Sequence, residues 1–293
     1  MTKSGFIAIT GRPNTGKSTL LNAIMGEKIA IVSYKPQTTR NRITGILTKG
    51  DCQFVFTDTP GIHKPKTKMS EEMVACANNT ISDCDMSLLV VEPKMPGETE
   101  KRIIENFTKS NTPAMLVINK TDTVKKSELL PVIAEYTSLY DFKEVVPLSA
   151  LKKDNIDTLL KLLEGCLTEG PFYYPEDMKT DSDTPTFICE LIREKMLKLL
   201  NEEIPHGVAV EAVTFEDGKN LLKCGVNIYC EKEGHKKIII GKNGELIKKI
   251  GTHAREELEK KYGKKVFLDL WIKVKPDWRN NPSRIKSFGI GDF

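Results

Sequence analysis

The stretch Gly11-Arg12-Pro13-Asn14-Thr15-Gly16-Lys17-Ser18 fits the pattern G-x-x-x-x-G-K-[ST] at every fixed position. The apolar run Phe6–Ile9 before it reads as a buried strand, and Thr19–Met25 after it has helical spacing. Strand, glycine loop and helix are the context this motif requires. The two glycines let the backbone curl until several N–H groups point at one anion, and the helix N-terminus adds partial positive charge there. Lys17 is placed to reach the β- and γ-phosphates of a nucleoside triphosphate, and the Ser18 hydroxyl to ligate Mg²⁺. A plain glycine turn ahead of a helix would not combine this lysine, this hydroxyl and these flanks.

Outward from the loop, the apolar runs end in polar motifs. Residues 31–40 are polar and marked by Pro36, so they read as a loop. A threonine there brings a hydroxyl to the metal only when a γ-phosphate is present; Thr39 is the first choice and Thr38 its rival. The strand Gln53–Thr57 ends at Asp58-Thr59-Pro60-Gly61. Asp58 is placed to hold Mg²⁺ through water, and Gly61 lets its N–H approach the γ-phosphate. Residue 62 is isoleucine. An apolar side chain cannot orient an attacking water as a glutamine does, so slow intrinsic hydrolysis is expected. Met86–Val91 and Ala114–Ile118 are continuous apolar runs, as parallel strands covered on both faces should be.

The second of these runs ends at Asn119-Lys120-Thr121-Asp122. A fixed carboxylate at Asp122 accepts from the N1–H and 2-amino group of guanine. Adenine would leave it unpaired, which discriminates by powers of ten. Asn119 and Lys120 are placed to brace base and phosphate loop. A further strand ends at Ser149-Ala150-Leu151, where a backbone N–H can meet the guanine carbonyl. Apolar strands alternating with amphipathic helices predict a doubly wound α/β domain with a mostly parallel sheet over residues 1–170.

Residues 171–186 are rich in Pro, Asp, Ser and Thr and read as an exposed linker that packs little. Residues 187–293 read as a smaller α+β unit ordered helix, strand, strand, helix, Gly241-Lys242-Asn243-Gly244, helix, strand. A G-x-x-G turn between two helices is how a KH module clamps a single-stranded nucleic-acid backbone. Lys242, Asn243, Lys248 and Lys249 are the expected contacts beside the two glycines. Residues 236–286 carry fifteen Lys/Arg against six Asp/Glu, a local charge of +9 in a chain of net +4, so the remainder is acidic. Such a field favours a polyanion, RNA first, with anionic lipid or a protein partner as the alternative. Trp271, on the solvent side of the last strand, reads as cover for an apolar patch rather than as a base-stacking platform.

The 293 residues suffice for two domains, and 39% hydrophobic with 29% charged residues is ordinary for a globular chain. No run approaches the ~20 apolar residues of a membrane span. The chain enters a core strand soon after Met1, so no signal peptide is expected. Seven scattered cysteines without a C-x-x-C pair, and four isolated histidines, argue against a disulfide framework or a zinc site. A cytoplasmic monomer is expected.

In these motifs, together with Pro36–Arg40 and Ile238–Gly251, the chain resembles the bacterial Era GTPases over essentially its whole length. The resemblance implies hydrolysis of GTP to GDP with Mg²⁺ held by Ser18, Thr39 and Asp58. It implies a KH domain that binds the 3′ end of small-subunit ribosomal RNA, a role in maturing that subunit, and loose contact with the inner face of the membrane in some members. Asn14 matches the position that ligates K⁺ in several relatives, so Asn14 joins Lys17, Thr39 and Gly61 among the expected catalytic positions, K⁺ supplying the charge an arginine finger gives elsewhere. GTP is expected to order the Thr39 and Asp58 loops and thereby to alter RNA binding.

Overall fold

The run before the glycine loop becomes strand β1 (Lys3–Thr10), and the loop feeds helix α1 (Lys17–Met25), in a computed structural model that describes residues 1–291. Next come β2 (Ile43–Lys49), β3 (Cys52–Asp58), α2 (Lys68–Ser82), β4 (Met86–Val91), α3 (Glu98–Ser110) and β5 (Ala114–Ile118). Then follow α4 (Leu129–Leu139), β6 (Val145–Pro147), α5 (Ile156–Glu164) and the short β7 (Thr168–Glu169). The strand order is β2-β3-β1-β4-β5-β6. It is parallel except for β2, antiparallel to β3, and β7, antiparallel to the start of β1. Every residue of β4 and β5 is buried because helices cover both faces. One face packs Leu20, Phe54, Phe56 and Leu159, and the other packs Leu89, Ile103, Phe107 and Tyr136. Helix α3 shows why these segments are helical. Glu98 and Glu100 sit in its first turn, Lys109 in its last, and Asn111 closes it in the left-handed region. The motif-bearing turns leave the C-terminal ends of β1, β3, β5 and β6, so all fall on one edge of the sheet.

The segment 171–181 differs from the expected loosely packed linker and is strapped to the first unit. Gln53 on β3 is fully buried, and this segment satisfies its amide. The amides of Tyr173 and Tyr174 donate to Gln53 Oε1 at 2.8 and 3.0 Å, and Gln53 Nε2 donates to the Tyr174 carbonyl at 2.8 Å. The Ile46 amide donates to the Lys179 carbonyl at 2.8 Å, and the Tyr173 ring lies 4.6 Å from that of Phe6. Residues from about Ser182 onward form a second compact unit.

That unit opens with α6 (Thr184–Leu199), whose first turn lies inside the stretch read as linker: Asp183 accepts from the Thr186 amide at 2.9 Å, and Pro185 lies in the first turn. Such a cap contributes about 1 kcal/mol. Then follow β8 (Ala209–Asp217), β9 (Leu221–Cys230), α7 (Glu233–Ile240), α8 (Glu245–Tyr262), β10 (Lys265–Val274) and α9 (Pro282–Ser287). The sheet runs β10-β9-β8, with β9 parallel to β10 and antiparallel to β8. Ile250, Ala254 and Leu258 bury one stripe of α8 on this sheet, and Gly263 ends the helix at φ 67°. The Trp271 ring, 44% exposed, lies against Gly225 of β9, where a Cβ would come within 3.0 Å of it. It covers bare strand backbone. Past β10 the chain folds back: Trp278 is fully buried, and its Nε1–H donates to the Gly207 carbonyl at 2.9 Å. Among the described residues no helix is long and apolar enough to cross a membrane.

Candidate functional site

Both glycines of the phosphate loop are forced by their surroundings. Gly11 has φ 143°, and a Cβ there would lie 2.3 Å from the Val90 carbonyl; Gly16 has φ 95°, and its Cβ would meet the Asn119 amide at 2.3 Å. Between them the chain is braced by Thr15, whose hydroxyl donates to the Arg12 carbonyl, while the Arg12 side chain reaches Glu100 at 3.5 Å. Lys17 points inward and donates to the carbonyls of Gly11 and Arg12 at 3.2 and 2.9 Å. Burial lowers its pKa to about 8, with the Asp58 charge opposing the shift.

Three oxygens from three segments converge under this loop. Ser18 Oγ donates to Asp58 Oδ2 at 2.5 Å, Thr39 Oγ1 reaches the same oxygen at 3.2 Å, and the two hydroxyls lie 2.9 Å apart. The rival hydroxyl, Thr38, is turned into its own loop, donating to the Lys35 carbonyl at 2.7 Å. Asp58 is fully buried, and its Oδ1 has no hydrogen-bond partner among the described residues. Burial raises its pKa to about 6 against the pull of Lys17, Ser18 and Thr39. A hard oxygen set with one orphaned carboxylate oxygen fits a small divalent cation such as Mg²⁺. Thr59 fixes the turn after Asp58 by donating from its hydroxyl to the Ile9 carbonyl at 2.9 Å. The buried Pro60 leads to Gly61, which packs so close to Pro13 that a Cβ would lie 2.6 Å from its nitrogen. Pro13, Asn14, Lys17, Thr39 and Gly61 line one cleft. Asn14 Nδ2 donates to the Tyr34 carbonyl at 2.8 Å. Ile62 is buried in the core, and His63 turns back to the Gly61 carbonyl.

Just past the C-terminal end of β5, Asn119 clasps two loops. Its Nδ2 donates to the Thr15 carbonyl at 2.8 Å, and its Oδ1 accepts from the Ala150 amide at 3.0 Å. Lys120 donates to the Asn14 carbonyl at 2.6 Å and to Glu92. Asp122 is exposed and accepts from Ser149 Oγ at 2.6 Å. The Ser149 and Ala150 amides are both engaged, by the Asp154 carbonyl and by Asn119, so of the three residues proposed for a carbonyl contact Leu151, 70% exposed, presents the open amide. Sequence reasoning passed over Glu92. The signal was an acidic residue directly after a mostly apolar strand, next to the strand that leads into Asn119.

In the second unit, Gly241 (φ 74°) and Gly244 (φ 77°) flank Asn243, itself left-handed at φ 51°, so Lys242 and Asn243 project into solvent between α7 and α8. A Cβ on Gly241 would lie 2.7 Å from that of Leu246, so the turn admits no side chain there. Beside it an open cleft runs between α8 and β10, lined by Lys248, Gly251, Arg255, Phe267 and Leu270. Lys249 is exposed but does not line this cleft.

A family of 50S ribosome-binding GTPases matches residues 6–120, and the KH domain family matches residues 203–279. The GTPase Era of Ruminiclostridium cellulolyticum is 50% identical over 289 residues, covering 98% of this chain and 97% of that protein. This chain belongs to the Era GTPase family. The Clostridioides difficile member is 49% identical over the full length of both chains. A crystal structure of Era in complex with MgGDPNP and nucleotides 1506–1542 of 16S ribosomal RNA has a TM-score of 0.95 at 39% identity over 99% of each chain. An Aquifex aeolicus Era variant bound to GDP·AlF4⁻ has a TM-score of 0.94, also at 39% identity and 99% coverage.

Proposed function

We propose that this Era-family protein hydrolyses GTP to GDP and phosphate, and that its KH unit grips the 3′ end of 16S ribosomal RNA during small-subunit maturation. The observation that carries the nucleotide reading is the convergence of Ser18, Thr39 and Asp58 beside the buried Lys17. Their donor set suits Mg²⁺, which when bound supplies positive charge against the β- and γ-phosphates. Lys17 exchanges two backbone carbonyls for phosphate oxygens. The Gly61 amide meets the γ-phosphate, and Asp122 accepts from the guanine edge while Asn119 and Lys120 hold base end and phosphate loop together.

Ile62 leaves no side chain at its position to orient water, so intrinsic turnover is slow. K⁺ near Asn14 is part of this reading. The Asn14 amide already meets the Tyr34 carbonyl, and turning that amide would set two oxygens side by side for a monovalent cation. The RNA reading is supported by the left-handed G-x-x-G turn beside a cleft that presents Lys248 and Arg255. Nucleotide state sets RNA affinity, because Thr39 and Asp58 sit on the loops that a γ-phosphate orders. Cytoplasmic action as a monomer belongs to the same reading.

The test is phosphate release from GTP and ATP, with binding of an oligonucleotide of the rRNA 3′ end measured in parallel in the presence of GDP and of a non-hydrolysed GTP analogue. Release from GTP alone, and oligonucleotide affinity that differs between the two nucleotides, are expected. Equal use of ATP overturns the first half, and absence of RNA binding overturns the second.

A further inference from the structure

Glu92 follows directly on β4 and accepts two ammonium groups. Lys120 Nζ donates to Glu92 Oε1, and Lys94 Nζ donates to Oε2 at 2.6 Å. The same Lys120 Nζ donates to the Asn14 carbonyl of the phosphate loop at 2.6 Å. The near end of Lys120 is equally constrained: its backbone sits at φ 63°, between Asn119, which clasps two loops, and the turn that presents Asp122. Lys120 is thus tied at both ends, by its left-handed backbone and by its ammonium group. Partial burial pushes the Glu92 carboxyl up, but the hydrogen bonds and charges of Lys120 and Lys94 outweigh it and hold the group below its ordinary value, so it is ionised at neutral pH. Lys94 is 75% exposed on its side chain, where an ion pair contributes little, whereas Lys120 is 36% exposed and shares a second acceptor.

We propose that Glu92 is a positioning residue for the guanine nucleotide: by holding Lys120 Nζ against the Asn14 carbonyl it ties the turn that presents Asp122 to the phosphate loop. The proposal rests on the GTP-binding reading above. It differs from a fold-stabilising role in one respect. Glu92 acts on the nucleotide only through Lys120, so the two residues must not contribute independently.

The experiment is a double-mutant cycle on the full chain, reading the dissociation constant and dissociation rate of fluorescent GDP and the kcat and KM for GTP. Glu92→Gln keeps the shape and removes the charge. It is expected to weaken GDP about tenfold, mostly through faster release, by loosening a preorganised group. It should raise KM while kcat stays within about twofold, and leave the ligand-free melting temperature and the preference for GTP over ATP as in the wild type. Lys120→Met is expected to weaken GDP at least as much, and Glu92→Gln, Lys120→Met to be no weaker than Lys120→Met alone. Lys94→Met should bind GDP within about twofold of wild type. Wild-type affinity for GDP from Glu92→Gln, or losses that multiply in full in the double variant, overturns the proposal. Failure of the wild type itself to bind GDP would instead overturn the nucleotide reading.

Discussion

Lys17, Asp58 and Asn119 are 5%, 0% and 2% exposed, whereas Lys242, Asn243 and Lys248 stand in solvent. In the first unit the polar groups bond one another, so a ligand must replace those bonds one for one in a dry site. A ligand that cannot make these exchanges leaves buried groups unpaired, so the site demands a polyphosphate, while the exposed Asp122 chooses the base. In the second unit the groups are held by the shape of a turn and have little to exchange. They attract through charge and fit a backbone, which makes binding sensitive to salt. The two halves of one chain therefore illustrate recognition by exchange and recognition by field.

The largest effect expected breaks the first half of that comparison. Asp122→Ala removes the carboxylate that reads guanine, and the preference for GTP over ATP should fall by about 10³-fold or more in competition calorimetry. Next, Gly241→Asp with Gly244→Asp places a side chain where Leu246 leaves no room and a negative charge where a phosphate must come. Affinity for the rRNA 3′-end oligonucleotide should fall about 10²-fold by fluorescence anisotropy, while kcat for GTP is retained. Raising salt from 50 to 200 mM should weaken RNA binding far more than GDP binding, which sharpens the contrast.

Burial of Asp58 has a cost that pH exposes. The Asp58 carboxyl is raised by burial from an ordinary 3.8 to about 6, against the pull of Lys17 and two hydroxyls. The folded state thus holds this proton more tightly than the unfolded state. The stability this gives is present below about pH 4 and is lost as pH rises through about 6. At pH 7 the ionised group costs the ligand-free protein roughly 3 kcal/mol, at ~1.4 kcal/mol per unit. Asp58→Asn should therefore raise the ligand-free melting temperature at pH 7 and not at pH 4, and should abolish stabilisation by Mg²⁺ with GTP. The smallest effect expected is turnover about tenfold faster in K⁺ than in Na⁺ of equal ionic strength, read by phosphate release; equal rates would remove Asn14 from the catalytic positions.

The strands that bear the phosphate loop, Asp58 and Asn119 were legible because they are apolar runs ended by polar motifs, a signal carried by single segments. Strand β2 was not, since Ile43–Lys49 mixes Thr and Gly into a strand that borders only β3. The strap at 171–181 was missed because its reason lies 120 residues away in Gln53, whose buried amide needs partners. Glu92 was missed likewise, because its partner Lys120 lies in the turn after the neighbouring strand. Sequence favoured Thr39 over its neighbour Thr38 only narrowly; the difference between them lies in which hydroxyl the loop turns toward Asp58. Lys249 was grouped with Lys248 by composition, but the next residue round a helix points about 100° away from it, and only Lys248 lines the cleft.

The central claim is that a buried ammonium and three converging oxygens hold a triphosphate whose base is chosen by one exposed carboxylate. The direct measurement is titration calorimetry of the wild-type chain with Mg²⁺ and non-hydrolysed analogues of GTP and ATP. Micromolar or tighter binding of the guanine analogue, with the adenine analogue at least about 10³-fold weaker, is the predicted result. Equal affinities for the two would contradict the account.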